Sequence, residues 1–507
     1  MDDNTFTGTL PPSLGNCSKL QYLDLGGNNL QGTIPSSLGK CQSLQTLILD
    51  TNARLTGILP PELGQLQMLT TVVIYGTMIY GAIPASLGNC SSLEYLVLTT
   101  NHLNGTIPGA LGRLSKLLFL NLANNKLSGT VPLELGNCTS LRVLQLGSNQ
   151  LEGEFRVDFS KVSTPELVVS VYNNFISGNI FGSLATHKNF TIVDVCKNSL
   201  TGEIPAYVDV KSLSKLQVLM LGYNNLVGPI PTWMFDLPKM QVLDISHNNL
   251  TGELSGNFSN FQGFINKNVT QVPHNCHDLA NYYTQDFGFN LKLRNYSVSM
   301  TYLSYLTFLD LAVNRLSGNI PSNIGELSNL FYLNLSTNAL TGQIPVALGA
   351  ITPLQSVDLS SNLLDGPIPQ DFGSLKRLDI FMVGNNNLSG PIPTGPQMQT
   401  FTSDSYLPGN DNLCGNPLTR ICPSNSSNSE SGFKTVPQTL LEKINDWLSV
   451  PGFCVGFAIG FISFAVFTVH YYLSIQRREG NRIAPASGRQ ESTPSQEYLY
   501  GAWKSRK

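Results

Sequence analysis

The sequence has little charge, few cysteines and almost no long apolar runs, and each shortage excludes a class of protein. Charged residues make up 12% of the 507 residues, about half of the ~25% usual in soluble domains. Thirty Lys and Arg against 33 Asp and Glu leave no basic excess to attract nucleic acid. Nine cysteines are too sparse for a disulfide-stapled scaffold. A mean hydropathy of +0.01 excludes a polytopic membrane protein but leaves room for one span.

Turn-forming residues are abundant instead, with 47 Asn, 45 Gly and 29 Pro, and they argue against a helix bundle. Comparison of the chain with itself reveals the frame L-x-x-L-x-L-x-x-N-x-L-x-G-x-I-P-x-x-L-G, mostly at intervals of 24 residues. This period is that of a leucine-rich repeat. Thr77 fills the asparagine position once. The asparagine recurs at Asn28, Asn52, Asn101, Asn125, Asn149, Asn174, Asn198, Asn224, Asn248, Asn314, Asn338, Asn362 and Asn386.

Each residue type of the frame has a physical role. L-x-L alternates with period two, so Leu23 and Leu25 face inward while Tyr22 and Asp24 face outward. A single coil cannot bury its own apolar edge, but stacked coils bury a continuous core. The asparagine amide can satisfy inward-facing backbone donors and acceptors, and the glycine permits a left-handed turn. The sequence therefore predicts a repeat solenoid.

The G-x-I-P ending of each repeat resembles the plant-type leucine-rich repeat of plant cell-surface receptors. This resemblance implies an α/β repeat solenoid, a superhelix with a parallel β-sheet on its concave face. We expect repeats over residues 1–254, and four more over residues 301–393. Met1 opens in the second half of a repeat, without a signal peptide or an N-terminal cap, so we expect the first repeat to be truncated.

Residues 255–300 interrupt the array, because Asn248 and Asn314 are 66 residues apart. The layout resembles the island domain of plant receptor-like proteins and of the phytosulfokine and brassinosteroid receptors, which implies a contribution to ligand binding. The alternative is a decayed repeat that serves as a spacer. His274, Cys276 and His277 lack a fourth ligand and the usual spacing of a metal site, so we expect no metal and no cofactor.

Residues 394–423 follow the last repeat, where a solenoid must cover its open core with a polar cap. The segment resembles the C-terminal cap of phytosulfokine-type receptors and receptor-like proteins. In those families the cysteine pair matching Cys414 and Cys422 is disulfide-bonded, which implies the same bridge here and an oxidising compartment.

The remaining residues predict a membrane anchor: a linker over 424–449, a transmembrane helix over 450–475 and a cytoplasmic tail over 476–507. Pro451 to Ile475 contains no Lys, Arg, Asp or Glu and is long enough to span a bilayer. The basic flank is C-terminal, which predicts a single-pass type I protein of the plasma membrane with its repeats outside the cell. Small residues at every fourth position allow another membrane helix to approach closely. They are Gly452, Gly456 and Gly460.

Ligand contacts are expected on the exposed columns of the concave sheet, because solenoids bind through such surfaces. One apolar cluster combines Val73, Tyr75, Tyr95, Val97 and Phe119. We favour a second cluster beside the island, with exposed aromatic anchors for a peptide and an amide that fixes its register. The alternative is that these side chains only form strands and are shielded by their neighbours. The predicted ligand-binding residues are Met220, Tyr223, His247, Tyr282, Tyr283, Phe308, Tyr332 and Asn334.

No kinase, Walker, zinc-protease or G-x-S-x-G motif occurs, so we expect a binding protein and not an enzyme. The hypothesis is a receptor-like protein that binds an extracellular peptide or elicitor and signals through a receptor-kinase co-receptor. Two alternatives remain, the ectodomain part of a receptor kinase and an apoplastic protein resembling polygalacturonase inhibitors. The predicted glycosylation sites are Asn104, Asn189, Asn257, Asn268, Asn295 and Asn425.

Overall fold

The structure is a computed structural model that describes residues 2–254, 258–265, 287–291, 294–298 and 307–422, the two short stretches between 287 and 298 by their backbone alone. The predicted linker, transmembrane helix and tail, including Gly452, Gly456 and Gly460, lie outside the described residues. Within the described residues, no helix has the length and apolar character needed to cross a membrane.

One parallel sheet of 14 strands is built from the L-x-L segments, one strand for each coil. Neighbouring strands pair in register, as Leu96 with Leu120 and Leu120 with Leu144. The strands are β2 Tyr22–Asp24, β4 Thr46–Ile48, β6 Thr71–Val73, β8 Tyr95–Val97, β10 Phe119–Asn121, β12 Val143–Gln145, β14 Leu167–Ser170, β16 Phe190–Asp194, β18 Val218–Met220, β20 Val242–Asp244, β24 Phe308–Asp310, β26 Tyr332–Asn334, β28 Ser356–Asp358 and β30 Ile380–Met382.

A second parallel sheet of 16 strands, which was not predicted from the sequence, follows the N-x-L-x-G segments. Its strands contain the glycine of each repeat in the left-handed region, for example Gly32 with φ +77° and Gly342 with φ +72°. The strands are β1 Thr7–Thr9, β3 Asn29–Thr33, β5 Arg54–Gly57, β7 Met78–Gly81, β9 His102–Thr106, β11 Lys126–Gly129, β13 Gln150–Glu154, β15 Phe175–Gly178, β17 Ser199–Glu203, β19 Asn225–Pro229, β21 Asn249–Glu253, β25 Arg315–Asn319, β27 Ala339–Gln343, β29 Leu363–Pro367, β31 Asn387–Pro391 and β32 Asn412–Cys414.

Helical turns are short and mostly of the 3₁₀ type, and many follow the proline of the G-x-I-P motif. Pro35 is extended, with φ −71° and ψ 133°, so the turn begins at the next residue. Two α-helical turns, α1 Phe181–Leu184 and α2 Gln262–Ile265, occur where the repeat is irregular. The 3₁₀ turns are Pro12–Asn16, Ser36–Lys40, Pro61–Gln65, Ala85–Asn89, Gly109–Arg113, Leu133–Asn137, Val210–Leu213, Thr232–Asp236, Phe258–Asn260, Ser322–Glu326, Val346–Ala350, Gln370–Ser374 and Ser403–Ser405.

The inward-facing leucines form one continuous core that runs from Leu10 to Leu413, as the frame predicts. The repeat asparagines bind the coils to one another. The amide of Asn125 donates to the carbonyls of Leu98 and Leu122, and its Oδ1 accepts the backbone N–H of Leu103. Thr77 continues this ladder, because its hydroxyl donates to Asn101 Oδ1 at 2.6 Å.

The interruption of the array begins later than residue 255. Phe258, Phe261 and Phe264 are fully buried in the main core, where Phe258 packs against Phe235 with 5.0 Å between ring centroids. These residues therefore complete a coil of the solenoid. Strand β20 then pairs directly with β24, so the sheet continues in register across the gap. Within the predicted island, β22 Phe287–Leu291 and β23 Arg294–Val298 form an antiparallel pair.

The C-terminal cap closes the second sheet, because β32 pairs with β31 as its last strand. The predicted disulfide between Cys414 and Cys422 is present, with a Cα–Cα distance of 5.0 Å. Tyr406 is fully buried behind the last coil and packs against Phe381, 6.0 Å between centroids. Burial raises the pKa of the Tyr406 hydroxyl to about 12.

Candidate functional site

The candidate site lies on the outer face of the 14-stranded sheet, defined as the side away from the main core. On this face, in-register pairing places equivalent residues of successive coils in straight files. One file runs through Val218, Val242, Phe308 and Tyr332. A second, two residues further along each strand, runs through Asp194, Met220, Asp244, Asp310, Asn334 and Asp358. We call this second file the acidic file.

Tyr223 and His247 lie just beyond the ends of β18 and β20, where the backbone turns with φ +57° and +51°. Because both turns have the same left-handed conformation, the two rings stack with 3.8 Å between centroids and an interplanar angle of 15°. The Lys197 ammonium of the preceding coil lies 5.7 Å from the Tyr223 ring centroid, within cation–π range. Tyr223 is 39% exposed, so this predicted site residue presents an aromatic surface to solvent.

Phe308 and Tyr332 stack face to face, with 4.1 Å between centroids, and both are buried. Tyr332 donates its hydroxyl to Asp310 Oδ2 at 3.3 Å, and Asn334 donates its amide to the same oxygen at 3.1 Å. The expectation that Phe308, Tyr332 and Asn334 are exposed is wrong. Adjacent strands hold their side chains against one another, so flat rings in register shield each other.

The other apolar side chains of this face are also more buried than expected. Met220 is 5% exposed, and Val73, Val97 and Phe119 are buried with it in a cluster separate from the main core. Tyr75 and Tyr95 are only partly buried against this cluster. The predicted Tyr282 and Tyr283 lie outside the described residues.

The acidic file was missed by the sequence analysis, although its spacing follows the repeat. Asp194 accepts the backbone N–H of Cys196 at 3.1 Å and the Ser170 hydroxyl at 3.3 Å. Asp244 accepts the backbone N–H of Ser246 at 2.9 Å, and the Cys196 thiol lies 3.8 Å from its Oδ2. The available signal was an aspartate two residues after the outward hydrophobic position in several repeats, as in Asp194, Asp244 and Asp310.

Burial dominates the electrostatics of this file. Desolvation, with the charge of Asp244 acting in the same direction, raises the pKa of Asp194 to about 7 and of Asp310 to about 8. Burial also raises the pKa of Asp244, against hydrogen bonds from Ser246 that lower it. Asp194 and Asp310 are buried, whereas Asp244 between them is partly exposed.

This arrangement can bind a cation of a ligand without covalent chemistry. Carboxylates held in a poorly solvated file are stabilised by any ammonium or guanidinium group that reaches them. The neighbouring Tyr223–His247 pair offers a flat surface for an apolar or cationic side chain. Among the described residues, no group of three or more His, Cys, Asp or Glu is arranged to hold a metal ion.

The predicted glycosylation sites differ in their surroundings. Asn104 is exposed on β9. Asn189 is partly buried, and its amide donates to the carbonyl of Thr164 at 2.9 Å. The side chain of Asn295 and the whole of Asn257, Asn268 and Asn425 lie outside the described residues.

The repeats match family models directly. The model described as "Leucine rich repeat" matches residues 84–152 and 188–250, and that described as "Leucine Rich Repeat" matches residues 19–41, 305–327 and 353–375. Among solved structures, the plant peptide hormone receptor RGFR1, in complex with RGF2, shares 30% identity and a TM-score of 0.61 over 76% of this chain. The chain therefore contains leucine-rich repeats and is similar to the ectodomains of plant leucine-rich-repeat receptors.

Two further receptor structures resemble this leucine-rich-repeat protein. The Arabidopsis thaliana receptor kinase GASSHO1/SCHENGEN3, in complex with CASPARIAN STRIP INTEGRITY FACTOR 2, shares 29% identity and a TM-score of 0.52 over 82% of this chain. PEPR1–AtPEP1 shares 32% identity and a TM-score of 0.51 over 78%. The chain spans 59%, 53% and 59% of the three solved chains, less than two thirds of each. Comparison with curated proteins gave no match.

Proposed function

We propose that the chain is the ligand-binding part of a cell-surface receptor and binds an extracellular peptide on the outer face of its 14-stranded sheet. The observation that carries this proposal is the exposed Tyr223–His247 stack beside the acidic file. The solved relatives include a receptor in complex with RGF2 and another in complex with CASPARIAN STRIP INTEGRITY FACTOR 2, which supports the same use of this fold. Binding, not catalysis, is the activity that this face supports.

The peptide has an extended backbone and at least one basic residue. Asp244 is the accessible member of the acidic file and lies between two buried carboxyl groups, Asp194 and Asp310, of which Asp310 is its direct strand neighbour. A lysine or arginine of the peptide pairs with Asp244, and an adjacent side chain packs on the Tyr223 ring. The ionised form of the file binds the cation, so affinity rises as these carboxyl groups lose their protons.

Signalling follows from recruitment of a co-receptor and not from a reaction catalysed by this chain. A bound peptide creates a joint surface for a co-receptor kinase, because a ligand shifts an equilibrium only through different affinities for its two states. The predicted anchor over 450–475 would hold the repeats outside the plasma membrane, and Gly452, Gly456 and Gly460 would face the co-receptor helix. Peptide contacts from Tyr282 and Tyr283 belong to the same proposal.

Display of the full chain on cells and selection from a library of extended peptides tests the proposal. We expect selected peptides to be enriched in Lys and Arg, and their capture to increase from pH 6 to pH 9, because Asp194 and Asp310 ionise with pKa values of about 7 and 8. Tyr223→Ala should lower capture at least tenfold. Tyr207→Ala is the control, since Tyr207 is 83% exposed but lies away from the strands of this sheet. Equal losses in both variants, or neutral peptides selected at every pH, would overturn the assignment.

A further inference from the structure

The strand-entry edge of the 14-stranded sheet holds a group of cations that the proposed peptide site does not use. Lys215 and Lys239 each lie three residues before a strand, and those strands pair Val218 with Val242, so the two lysines occupy equivalent positions in neighbouring coils. Lys188 lies two residues before β16, which pairs with β18 on its other side, and Arg142 immediately precedes β12. We call Arg142, Lys188, Lys215 and Lys239 the basic edge.

Three cations of the basic edge, Arg142, Lys215 and Lys239, act on one carboxyl group, that of Glu166. The Lys215 ammonium reaches across the intervening coil and donates to the carbonyl of Pro165 at 2.9 Å. This contact brings it next to Glu166. Burial raises the pKa of Glu166, while Arg142, Lys215 and Lys239 each act to lower it, so all three cations are within electrostatic reach of this carboxyl group.

The positive charge of the basic edge is not neutralised within the described residues. There, the side chains of Arg142, Lys188 and Lys239 make no hydrogen bond or ion pair, and Glu166 is the carboxylate on which Arg142, Lys215 and Lys239 act. One buried donor nearby also lacks a partner in that part of the chain, the Nε of Arg142. Unpaired buried donors cost free energy, which an anion would recover.

The edge suits a polyelectrolyte better than a folded protein. Lys215 and Lys239 hold equivalent positions in neighbouring coils at the strand spacing of ~4.8 Å, so they can meet a linear chain with charges at short intervals. Protein interfaces depend on exposed aromatic or aliphatic anchors. The segments that precede these strands, 139–142, 161–166, 186–189, 214–217 and 238–241, contain no strongly exposed large apolar side chain.

We propose that the basic edge binds a linear acidic polysaccharide through the carboxylates of its uronic acid units. Arg142 and the lysines pair with successive carboxylates, and the chain runs across the coils along the strand-entry edge. This site is distinct from the peptide site, because Tyr223 and His247 lie beyond the opposite ends of the strands. A polysaccharide would therefore fix the protein to a matrix while leaving the aromatic stack open.

Binding of a uronic acid decamer to the full chain, measured by calorimetry over a range of salt concentrations, tests this inference. We expect Lys215→Gln with Lys239→Gln to weaken binding at least tenfold, and the slope of log K against log salt to fall by roughly 1–2, since each lost contact releases about one fewer counterion. Lys40→Gln with Lys126→Gln is the control, because both lysines are exposed elsewhere.

The outcomes separate the alternatives. Equal weakening by the control pair would overturn the site, as would binding that does not change with salt or no binding by the native chain. A decamer of glutamate that binds while the uronic acid decamer does not would replace the polysaccharide with an acidic protein segment. Unchanged midpoints of unfolding for both pairs of variants show that lost binding is not lost folding. Capture of the peptides selected in the previous experiment should be unaffected by Lys215→Gln with Lys239→Gln.

Discussion

Asn362 accepts the backbone N–H of Leu340 at 3.1 Å, although the two residues lie in different coils. The same side chain donates to the carbonyls of Leu335, Leu359 and Ser360 at 3.0, 3.1 and 3.3 Å. One buried amide thus joins two coils and the turn of its own coil. The equivalent asparagines repeat this arrangement along the solenoid.

Asn362→Ala should lower the free energy of unfolding by roughly 2–4 kcal/mol, because it leaves the N–H of Leu340 and several buried carbonyls without a partner. Denaturant unfolding of the full chain measures the change. Asn225→Ala is the matched control, since Asn225 is an exposed asparagine of β19. A decrease in the free energy of unfolding of less than about 0.5 kcal/mol, as is usual for a surface substitution, would show that water replaces the amide in Asn362→Ala.

The pH dependence of stability should carry the signature of the acidic file. The folded pKa of Asp310 is about 8, above the ~3.9 of an unfolded aspartate, so the folded state binds more protons between these values. The contribution is therefore fully present below about pH 4 and is lost as the pH rises through about 8. In Asp310→Asn, the midpoint temperature of unfolding should decrease less as the pH rises than it does in the native chain.

The exposed carboxylate of Asp365 supplies the comparison for that experiment, because Asp365→Asn removes a charge without touching the file. An identical pH profile for the native chain and Asp310→Asn would mean that the carboxyl group is hydrated in the folded state. A decline that steepens in Asp310→Asn would contradict the sign of the effect.

Reduction of the disulfide in the C-terminal cap should destabilise the C-terminal end of the solenoid before the rest of it. The disulfide joins residues eight apart. Closing a loop of this size lowers the entropy of the unfolded chain and so adds roughly 2–3 kcal/mol to the free energy of unfolding. Cys414→Ser with Cys422→Ser should expose the β31–β32 end to protease at lower denaturant concentrations than the native chain. Cys17→Ser, at an exposed free cysteine, should leave the cleavage pattern unchanged. Cleavage that starts elsewhere in the array would contradict this order.

Glycan occupancy should distinguish two predicted sites. Asn104 is exposed, whereas Asn189 is partly buried and bonded to Thr164. Secretion of the chain from eukaryotic cells followed by mass spectrometry of its glycopeptides should find Asn104 occupied more fully than Asn189. Higher occupancy at Asn189 would mean that the sugar is attached before this coil closes.

The sequence was sufficient to predict the features that repeat. Leu23 and Leu25 face the core, the asparagines form the ladder, and Thr77 takes its place in that ladder through its hydroxyl. Each of these follows from residue chemistry at a fixed period. The Cys414–Cys422 bridge came instead from resemblance to a family, and the structure confirms it.

The features that depend on neighbours in space were not predictable in the same way. An outward position was expected to be exposed, yet Phe308 and Tyr332 bury each other because their strands are adjacent and in register. The pKa shifts of Asp194 and Asp310 likewise depend on burial between coils, which no single repeat contains. The period of the repeat predicts whether a side chain points inward or outward, but residues of the neighbouring coils determine how deeply it is buried.

The pairing of β20 with β24 has a wider consequence for how this protein can change. Asn314 donates to the carbonyl of Ile245 at 3.0 Å and accepts the N–H of Leu250 at 3.0 Å, so two coils separated by some sixty residues are joined like any consecutive pair. Residues 258–265 pack into the core beside these coils, and the strand pairing itself joins Val242–Asp244 directly to Phe308–Asp310. Sequence inserted at this seam can therefore change and acquire new binding specificity while the scaffold on either side stays the same.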